Sequence, residues 1–283
     1  MKSVEEILLS VITVVKDDLP GLERTRKSVL NQKDISIEHV IVDGGSKDGS
    51  EIFAYENSDV RIPSQPDGGI YGGMQRGLNA VNGTHVLYLN SGDVFIGDYF
   101  LSYAAQELLA KNSRWGFGPI VESTTRGTFV WNSCSGIIDS KAIQSRKTFI
   151  AFPCVIMSKE ILEEAGGFQL NLKIAGDFEL LVKLTRISMP IRWNFPLVCF
   201  SAGGVSYSKA PLAWKEENLV RSVYLEDSLL ASMNRSYYLG RKVSKWYLGK
   251  FLDFLTRHNI LLGPNWRDKR ATSVPYDFLT YID

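Results

Sequence analysis

Three acidic residues, Asp43, Asp67 and Asp93, stand at the ends of strand-like runs, where a chain can carry carboxylates to a shared edge, and a fourth, Asp177, opens a helix. Asp43 closes an apolar run and opens the string Val42-Asp43-Gly44-Gly45-Ser46-Lys47-Asp48-Gly49. A carboxylate there can accept hydrogen bonds from ribose hydroxyls or a base N–H, while the glycines let backbone approach a ligand closely. The same string also suits an ordinary turn, in which Asp and Gly supply only the geometry. Asp93 ends Leu89-Asn90-Ser91-Gly92-Asp93. Mg²⁺ and Mn²⁺ often take one or two carboxylates plus water and substrate phosphates, so a single Asp can anchor a metal–diphosphate complex. Asn-Ser-Gly-Asp is equally a common turn, and Asp93 can instead cap the helix that follows. Asp177, in Ala175-Gly176-Asp177-Phe178-Glu179, either caps a helix or takes a proton from an attacking hydroxyl. Glu179 competes for the second role.

These residues converge only if the elements between them fold as βαβ units. Ile7–Val15 reads as a buried strand rich in β-branched residues, and Pro20 opens a helical segment. Ile37–Val42 is a second strand that stops at Asp43, Asp48–Asn57 a short helix, and Val60–Pro63 a brief third strand with Asp67 just beyond it. Tyr71–Val81 reads as helical despite its glycines, His85–Leu89 as a strand broken at Asn90, and Asp98–Leu109 as a helix. Strands alternating with helices over short loops predict parallel pairing, with ligands at the carboxyl ends of the strands.

The middle of the chain reads differently. Trp115–Trp131 is rich in Gly, Thr and aromatic residues, which predicts a hairpin or mixed strands and a sheet no longer purely parallel. Ala151–Met157 reads as a strand, Lys159–Ala165 as a short helix ended by Gly166-Gly167, Phe178–Ile187 as a helix and Ile191–Phe200 as a strand. Beyond Pro211 the pattern turns helical, over roughly Leu212–Leu230 and Tyr237–Arg257.

Composition narrows the classes. A chain of 283 residues suits one large α/β domain with an appendage. Lys+Arg number 32 against Asp+Glu at 31, so no charge bias points to nucleic acid. The three cysteines, Cys134, Cys154 and Cys199, form neither a disulfide framework nor a zinc pattern and suit a reducing cytoplasm. The N-terminal apolar run is too short and too acidic at its front for a signal peptide, and no stretch reaches the roughly 20 apolar residues of a membrane span. A soluble or peripheral protein is expected.

Taken jointly, the strings ITVVKD (12–17), VDGGSKDGS (42–50), DGGIYGGMQRGLNAVNGTHVLYLNSGD (67–93) and AGGFQLNLKIAGDFELLVKL (165–184) resemble bacterial glycosyltransferase family 2 in order and spacing. They look most like its branch that builds surface polysaccharides and glycolipids, and the resemblance spans roughly residues 7–206. It implies a GT-A fold: α/β, with a Rossmann-like, mostly parallel central sheet and flanking helices. It also implies a nucleotide-diphosphate sugar donor, a Mg²⁺ or Mn²⁺ ion and inversion at the anomeric carbon. Carried over by position, Thr13 and Val15 line the nucleotide pocket and Asp43, with Gly44, binds the base or ribose. Asp67, Gly69 and Arg76 belong to the donor segment, with Ser91 beside it; Asp93 holds the metal and Asp177 is the general base. The chain departs from the family at Gly72, where an Asp is usual, at Ser91 and Gly92, where further acids are common, and at Phe152-Pro153, where relatives often carry His-Gln. Those departures bear on donor choice, acceptor choice and metal affinity, and leave a nucleotide-sugar-binding pseudoenzyme, or a partner subunit of another glycosyltransferase, as the second reading. A nicotinamide oxidoreductase is disfavoured, because Val15-Lys16-Asp17-Asp18 stands where G-x-G-x-x-G belongs.

The expected organisation is a catalytic domain over 1–209, with a nucleotide-sugar half (1–110) and an acceptor half (111–209), and a helical extension over 210–283. In that extension Leu239, Val243, Trp246, Tyr247, Phe251, Phe254 and Leu255 form an apolar stripe accompanied by Arg241, Lys242, Lys245 and Lys250. Such a helix can lie on an anionic membrane, which would suit a lipid-linked acceptor at the inner face of the cytoplasmic membrane. It can equally pack on the catalytic domain or on a second copy of the chain.

Overall fold

The computed structural model describes residues 8–65, 68–123, 129–132, 140–144, 148, 150–201 and 210–224. Its centre is β1 (Leu8–Val15), which pairs in parallel with β2 (Ser36–Asp43) from Leu8↔Ser36 to Val15↔Asp43. On its other side β1 pairs in parallel with β3 (His85–Tyr88). The sheet continues through β8 (Val155–Ser158), β5 (Trp115–Phe117) and β9 (Ile191–Arg192), in the order β2-β1-β3-β8-β5-β9. Only β8 runs against the rest, antiparallel to both β3 and β5, and β5 pairs in parallel with β9. A second, smaller sheet has the order β4 (Val94–Phe95), β10 (Val198–Ser201), β6 (Ile120–Ser123), β7 (Phe129–Asn132). Its antiparallel β6–β7 pair is the hairpin expected from the Gly- and Thr-rich middle segment.

Alternation along β1 divides the core. Leu9 and Val11 join Leu87, Leu89, Leu101 and Leu108 on one face of the sheet; Ile12 joins Val40, Val42, Met74 and Leu78 on the other. The first face is covered by α1 (Leu19–Leu30) and α4 (Phe100–Ala110). Asp18 caps α1, its side chain accepting from Gly21 N–H at 3.1 Å, with Pro20 in the first turn where a missing N–H costs nothing. The second face is covered by α3 (Ile70–Ala80) and, over the far strands, α7 (Gly176–Ile187). The glycines of α3 have a packing reason: a Cβ on Gly77 would stand 2.5 Å from Ile12 Cγ2, so α3 lies close against β1 only without one.

Three expected strands are corrected. The strand expected over Ala151–Met157 begins only at Val155, because Pro153 turns Phe152–Cys154 into a 3₁₀ turn. Val60–Pro63 forms no strand, because the segment before it spends its groups on β2's outer edge. Asp59 Oδ2 accepts from His39 N–H (2.6 Å), Ser58 Oγ accepts from Ile41 N–H (2.9 Å), and Asp59 N–H donates to His39 O (2.9 Å). Side chains, not a ladder, blunt that edge. Ile191–Phe200 splits into β9 and β10, which lie in different sheets. Trp193 turns across Gly116 and Gly118, where a Cβ would meet its ring at 2.7 and 2.0 Å, and Pro196 brings no N–H to continue pairing.

The short α2 (Ser50–Asn57), α5 (Ser140–Gln144) and α6 (Lys159–Glu164) complete the layers, and a 3₁₀ turn over Phe152–Cys154 precedes β8. The last described helix, α8 (Ala210–Tyr224), packs on α7 through Val220 and Tyr224 against Leu172, Phe178 and Val182. The expected helix over Tyr237–Arg257 lies outside the described residues. Among the described residues no helix is long and apolar enough to cross a membrane.

Candidate active site

The carboxyl ends of β1, β2 and β3 meet at one edge. Val15 O accepts from Gly44 N–H (2.9 Å), which closes β2 against β1, and Ser91 N–H reaches Val14 O (3.4 Å) from the turn after β3. The loops after β1 and β2 are stitched together: Asp17 N–H donates to Ser46 Oγ (2.8 Å), Lys47 N–H to Asp17 Oδ1 (2.8 Å), and Leu19 N–H to Asp48 Oδ2 (2.8 Å).

Asp43 ends β2 at 2% exposure. Its Oδ1 accepts from Gly45 N–H (2.9 Å), Ser46 N–H (3.0 Å) and the Ser64 hydroxyl, in a turn that Gly45 permits with φ +84°. Its Oδ2 is buried and has no hydrogen-bond partner among the described residues. Burial works against ionisation, but the hydrogen bonds from Ser46, Ser64 and Gly45 outweigh it and hold the carboxyl below its ordinary value. The group is therefore a carboxylate at neutral pH with one oxygen unsatisfied, a state that costs about 1–3 kcal/mol or more until a donor meets it. Arg76, on α3, donates to Asp43 O and to Pro63 O (both 3.1 Å), pinning the 63–65 segment over the end of β2.

Thr13 and Val15 lie beneath this edge. The Thr13 hydroxyl donates to Leu89 O (2.7 Å) and stands 2.9 Å from His39 Nε2. With that proton committed to Leu89, the His39 ring must donate from Nε2, which fixes its tautomer. Val15 packs with Leu22, Ile41 and Ala54. Gly69 has φ +93° and open space around the position of a Cβ, so the entry to α3 is unobstructed. Asp67 lies outside the described residues.

Ser91 donates to Asp18 Oδ2 (2.8 Å), which brings a second carboxylate close to the turn that carries Asp93. Asp93 itself is 2% exposed, and its backbone is held by α1: Thr25 Oγ1 accepts from Gly92 N–H (3.0 Å) and donates to Asp93 O (2.7 Å). Among the described residues no group of three or more His, Cys, Asp or Glu side chains assembles. The donor set, one hard carboxylate at a strand end, fits an Mg²⁺ or Mn²⁺ ion whose remaining ligands are phosphates and water.

Asp177 sits in the first turn of α7, partly exposed, with Oδ1 accepting from Phe178 N–H (2.7 Å). The competitor Glu179 is committed to the interior, its oxygens held by Tyr224 OH (2.5 Å) and Lys183 Nζ (3.2 Å). Asp177 is linked to the donor segment by Tyr71. That phenol donates to Ile174 O (2.6 Å), lies 3.3 Å from Asp177 Oδ1, and is kept protonated mainly by burial, which pushes it far above its ordinary value. Gly176 makes the approach possible, since a Cβ there would stand 2.8 Å from the Tyr71 ring. Phe168 stacks on Tyr71 (5.4 Å) and meets Tyr88 edge-on, while Phe152, from the departing Phe152-Pro153 pair, stacks on Tyr88 (5.5 Å).

Sequence reasoning passed over Ser64, Asp18 and Tyr71. Asp18 carried a signal, an Asp directly before Leu-Pro at a helix start. Ser64 and Tyr71 carried none, because their partners are distant in sequence.

Known proteins share this organisation. Residues 10–166, more than half of the chain, match the family described as Glycosyl transferase family 2. Two uncharacterized glycosyltransferases from strains of Mycobacterium tuberculosis are each 28% identical over 252 residues, covering 85% of this chain and 89% of the relative. Among solved structures, S. aureus TarS 1–349 in complex with UDP superposes with a TM-score of 0.60 at 17% identity, covering 82% of this chain and 70% of that one. A mannosyltransferase from Pyrobaculum calidifontis in complex with GDP-Man and Mn²⁺ superposes with a TM-score of 0.57 at 14% identity, covering 82% and 69%. The fold is GT-A, and the chain belongs to glycosyl transferase family 2, a glycosyltransferase by fold and by sequence.

Proposed function

We propose that this glycosyltransferase moves a sugar, with inversion, from a nucleotide-diphosphate sugar to a hydroxyl of a glycan or lipid-linked acceptor. The observation that carries the donor half of this reading is Asp43: buried, ionised, and with Oδ2 lacking a partner among the described residues, at the edge where ligands of such sheets bind. A base N–H or ribose hydroxyl supplies the missing donor. Complexes of structural neighbours support a nucleotide-sugar ligand: TarS 1–349 with UDP-GlcNAc, and the mannosyltransferase with GDP-Man.

In this reading residues 1–110 bind the donor and 111–209 bind the acceptor and carry the base. Asp43 and Gly44 recognise the nucleoside; Thr13 and Val15 keep the strand ends in register beneath it; Asp67, Gly69, Arg76 and Ser91 shape the diphosphate-sugar site. Asp177 takes the proton of the attacking hydroxyl, a contribution of roughly 10²–10⁴-fold. A bound Mg²⁺ or Mn²⁺, held by Asp93 together with donor phosphates, would offset the negative charge of the departing diphosphate. No nucleophilic Ser, Cys or Lys is required, because a direct displacement needs only the acceptor's oxygen and a base.

The test is a thermal-shift panel of UDP- and GDP-sugars with and without Mn²⁺. The bound donor raises Tm, and Asp43→Asn weakens that donor by about 1.5–3 kcal/mol, roughly tenfold to a hundredfold. Equal shifts in wild type and variant would remove Asp43 from the donor site. If the acceptor is lipid-linked, the basic amphipathic stretch 237–257 holds the protein at the inner face of the cytoplasmic membrane. Anionic liposomes then retain the full chain and lose one that ends before Tyr237; equal retention of both sinks that placement.

A further inference from the structure

The segment Lys173-Ile174-Ala175-Gly176-Asp177 enters α7 without a local cap: Ala175 occupies the N-cap position and makes no side-chain cap bond. The amides of the segment that leads into the helix, rather than those of its first turn, are met from elsewhere in the chain. Glu216, on α8, accepts at Oε2 from Lys173 N–H (3.1 Å), Ile174 N–H (2.8 Å) and Ala175 N–H (3.0 Å). Its Oε1 accepts again from Lys173 N–H (3.1 Å). The carboxylate is 8% exposed, and such charge-assisted bonds to backbone amides are the stronger class. On the opposite side, Tyr71 holds the carbonyl of Ile174 at 2.6 Å. The two side chains therefore grip one short stretch of backbone by its amides and by its carbonyl, and the group that this stretch presents is Asp177.

The helix that carries Glu216 is itself fastened to both the first and the last turn of α7. Tyr224 OH donates to Glu179, Arg186 Nη1 donates to Tyr224 O (3.0 Å), and the Arg221 guanidinium stands 5.1 Å over the Phe178 ring. These three contacts join α8 to α7, and none of the three involves the carboxyl ends of β1 and β2, where the donor reading places the nucleotide.

We infer that Glu216 is a positioning residue for the reaction: it fixes the backbone from Lys173 to Ala175 so that the Asp177 carboxylate is presented to the acceptor hydroxyl. The inference rests on the reading of Asp177 as the base. It makes α8, the first helix beyond the expected catalytic boundary at residue 209, a working part of the catalytic unit.

Two measurements on the full chain test it. Hydrogen exchange followed by mass spectrometry reads the amides directly: Glu216→Ala lowers protection of the peptide over 173–177 at least tenfold, and Glu216→Gln, which keeps one acceptor oxygen, lowers it less. Unchanged protection in Glu216→Ala overturns the inference. Turnover is read as UDP release from UDP-GlcNAc, or GDP release from GDP-mannose, with Mn²⁺ and acceptor. Glu216→Ala lowers kcat ten- to a hundredfold with donor KM within twofold of wild type, and Glu216→Gln recovers part of that loss. In an Asp177→Asn background the same substitution changes the residual rate less than twofold, because its effect passes through Asp177. An equal loss in both backgrounds, or a rise in donor KM matching the fall in kcat, assigns Glu216 a general folding role and overturns the proposal. Failure of the base reading looks different: Asp177→Asn alone then keeps the wild-type rate.

Discussion

His39 and Asp43 lie on the same strand, both buried, and their surroundings make opposite demands on charge. The Asp43 site keeps a carboxylate ionised with hydrogen bonds and leaves one oxygen without a partner among the described residues. The His39 site does the reverse: burial, helped by the positive charge of Arg26, drops the imidazole to about 3 and keeps it neutral. That neutral ring donates from Nε2 to the Thr13 hydroxyl at 2.9 Å, beneath the ends of β1 and β2. The unfolded chain takes up the His39 proton below about pH 6.5, whereas the native state refuses it until about 3. Between those values the unfolded state binds more protons, so the stability present above pH 6.5 is lost as pH falls towards the folded value. Urea unfolding of wild type at pH 7 and pH 4.5 should therefore show a loss on the order of 2–4 kcal/mol from this group alone. His39→Gln should flatten that part of the profile; an unchanged slope would mean that the ring titrates normally.

At the scale of elements, the sheet is positioned by close approach, and the glycines are where this is tested most directly. Gly77→Ala sets a methyl 2.5 Å from Ile12 Cγ2 and 3.3 Å from Val42 Cγ2. Helix propensity alone favours Ala by about 1 kcal/mol, while overpacking costs about 1–3 kcal/mol, so net destabilisation is expected. Calorimetry should record a Tm lower by several degrees; a higher Tm would show that α3 can lift from β1 freely. The same element shows what the sequence could and could not reveal. The helix over 70–80 and the strands that precede Asp43 and Asp93 are local patterns of burial and turn chemistry, and were legible; the cap at Asp18 carried a local signal that was passed over. Val60–Pro63 was misread because its neighbours Ser58 and Asp59 bond to a strand edge that no local pattern announces. Ile191–Phe200 was misread because the apolar run is continuous while its two ends serve different sheets. The contacts missed around the proposed site span long separations: Ser64 to Asp43 across 21 positions, Tyr71 to Asp177 across 106, and Glu216 to Ile174 across 42. The acids could be read because each sits in its own turn; the residues that steer them could not.

For the molecule as a whole, the proposed site is divided between two parts of the chain that meet through Tyr71. In the proposed function, donor recognition draws on the ends of β1, β2 and β3, and proton transfer draws on α7. Asp177→Asn should therefore cut transfer by 10²-fold or more while donor affinity, read by calorimetric titration, stays within about twofold. A parallel loss of donor affinity would show that the halves are not separable in this way. The reversed strand β8 adds a consequence for how the chain comes into being. During synthesis β1, β2 and β3 emerge first, but the outer side of β3 pairs with β8, which is complete only at Ser158. Until then the nascent protein carries an apolar, unpaired strand border of the kind that captures other chains. The first three strands thus leave the ribosome with an open seam that only β8 can close, which makes this enzyme's biogenesis most exposed to aggregation when translation stalls before Ser158.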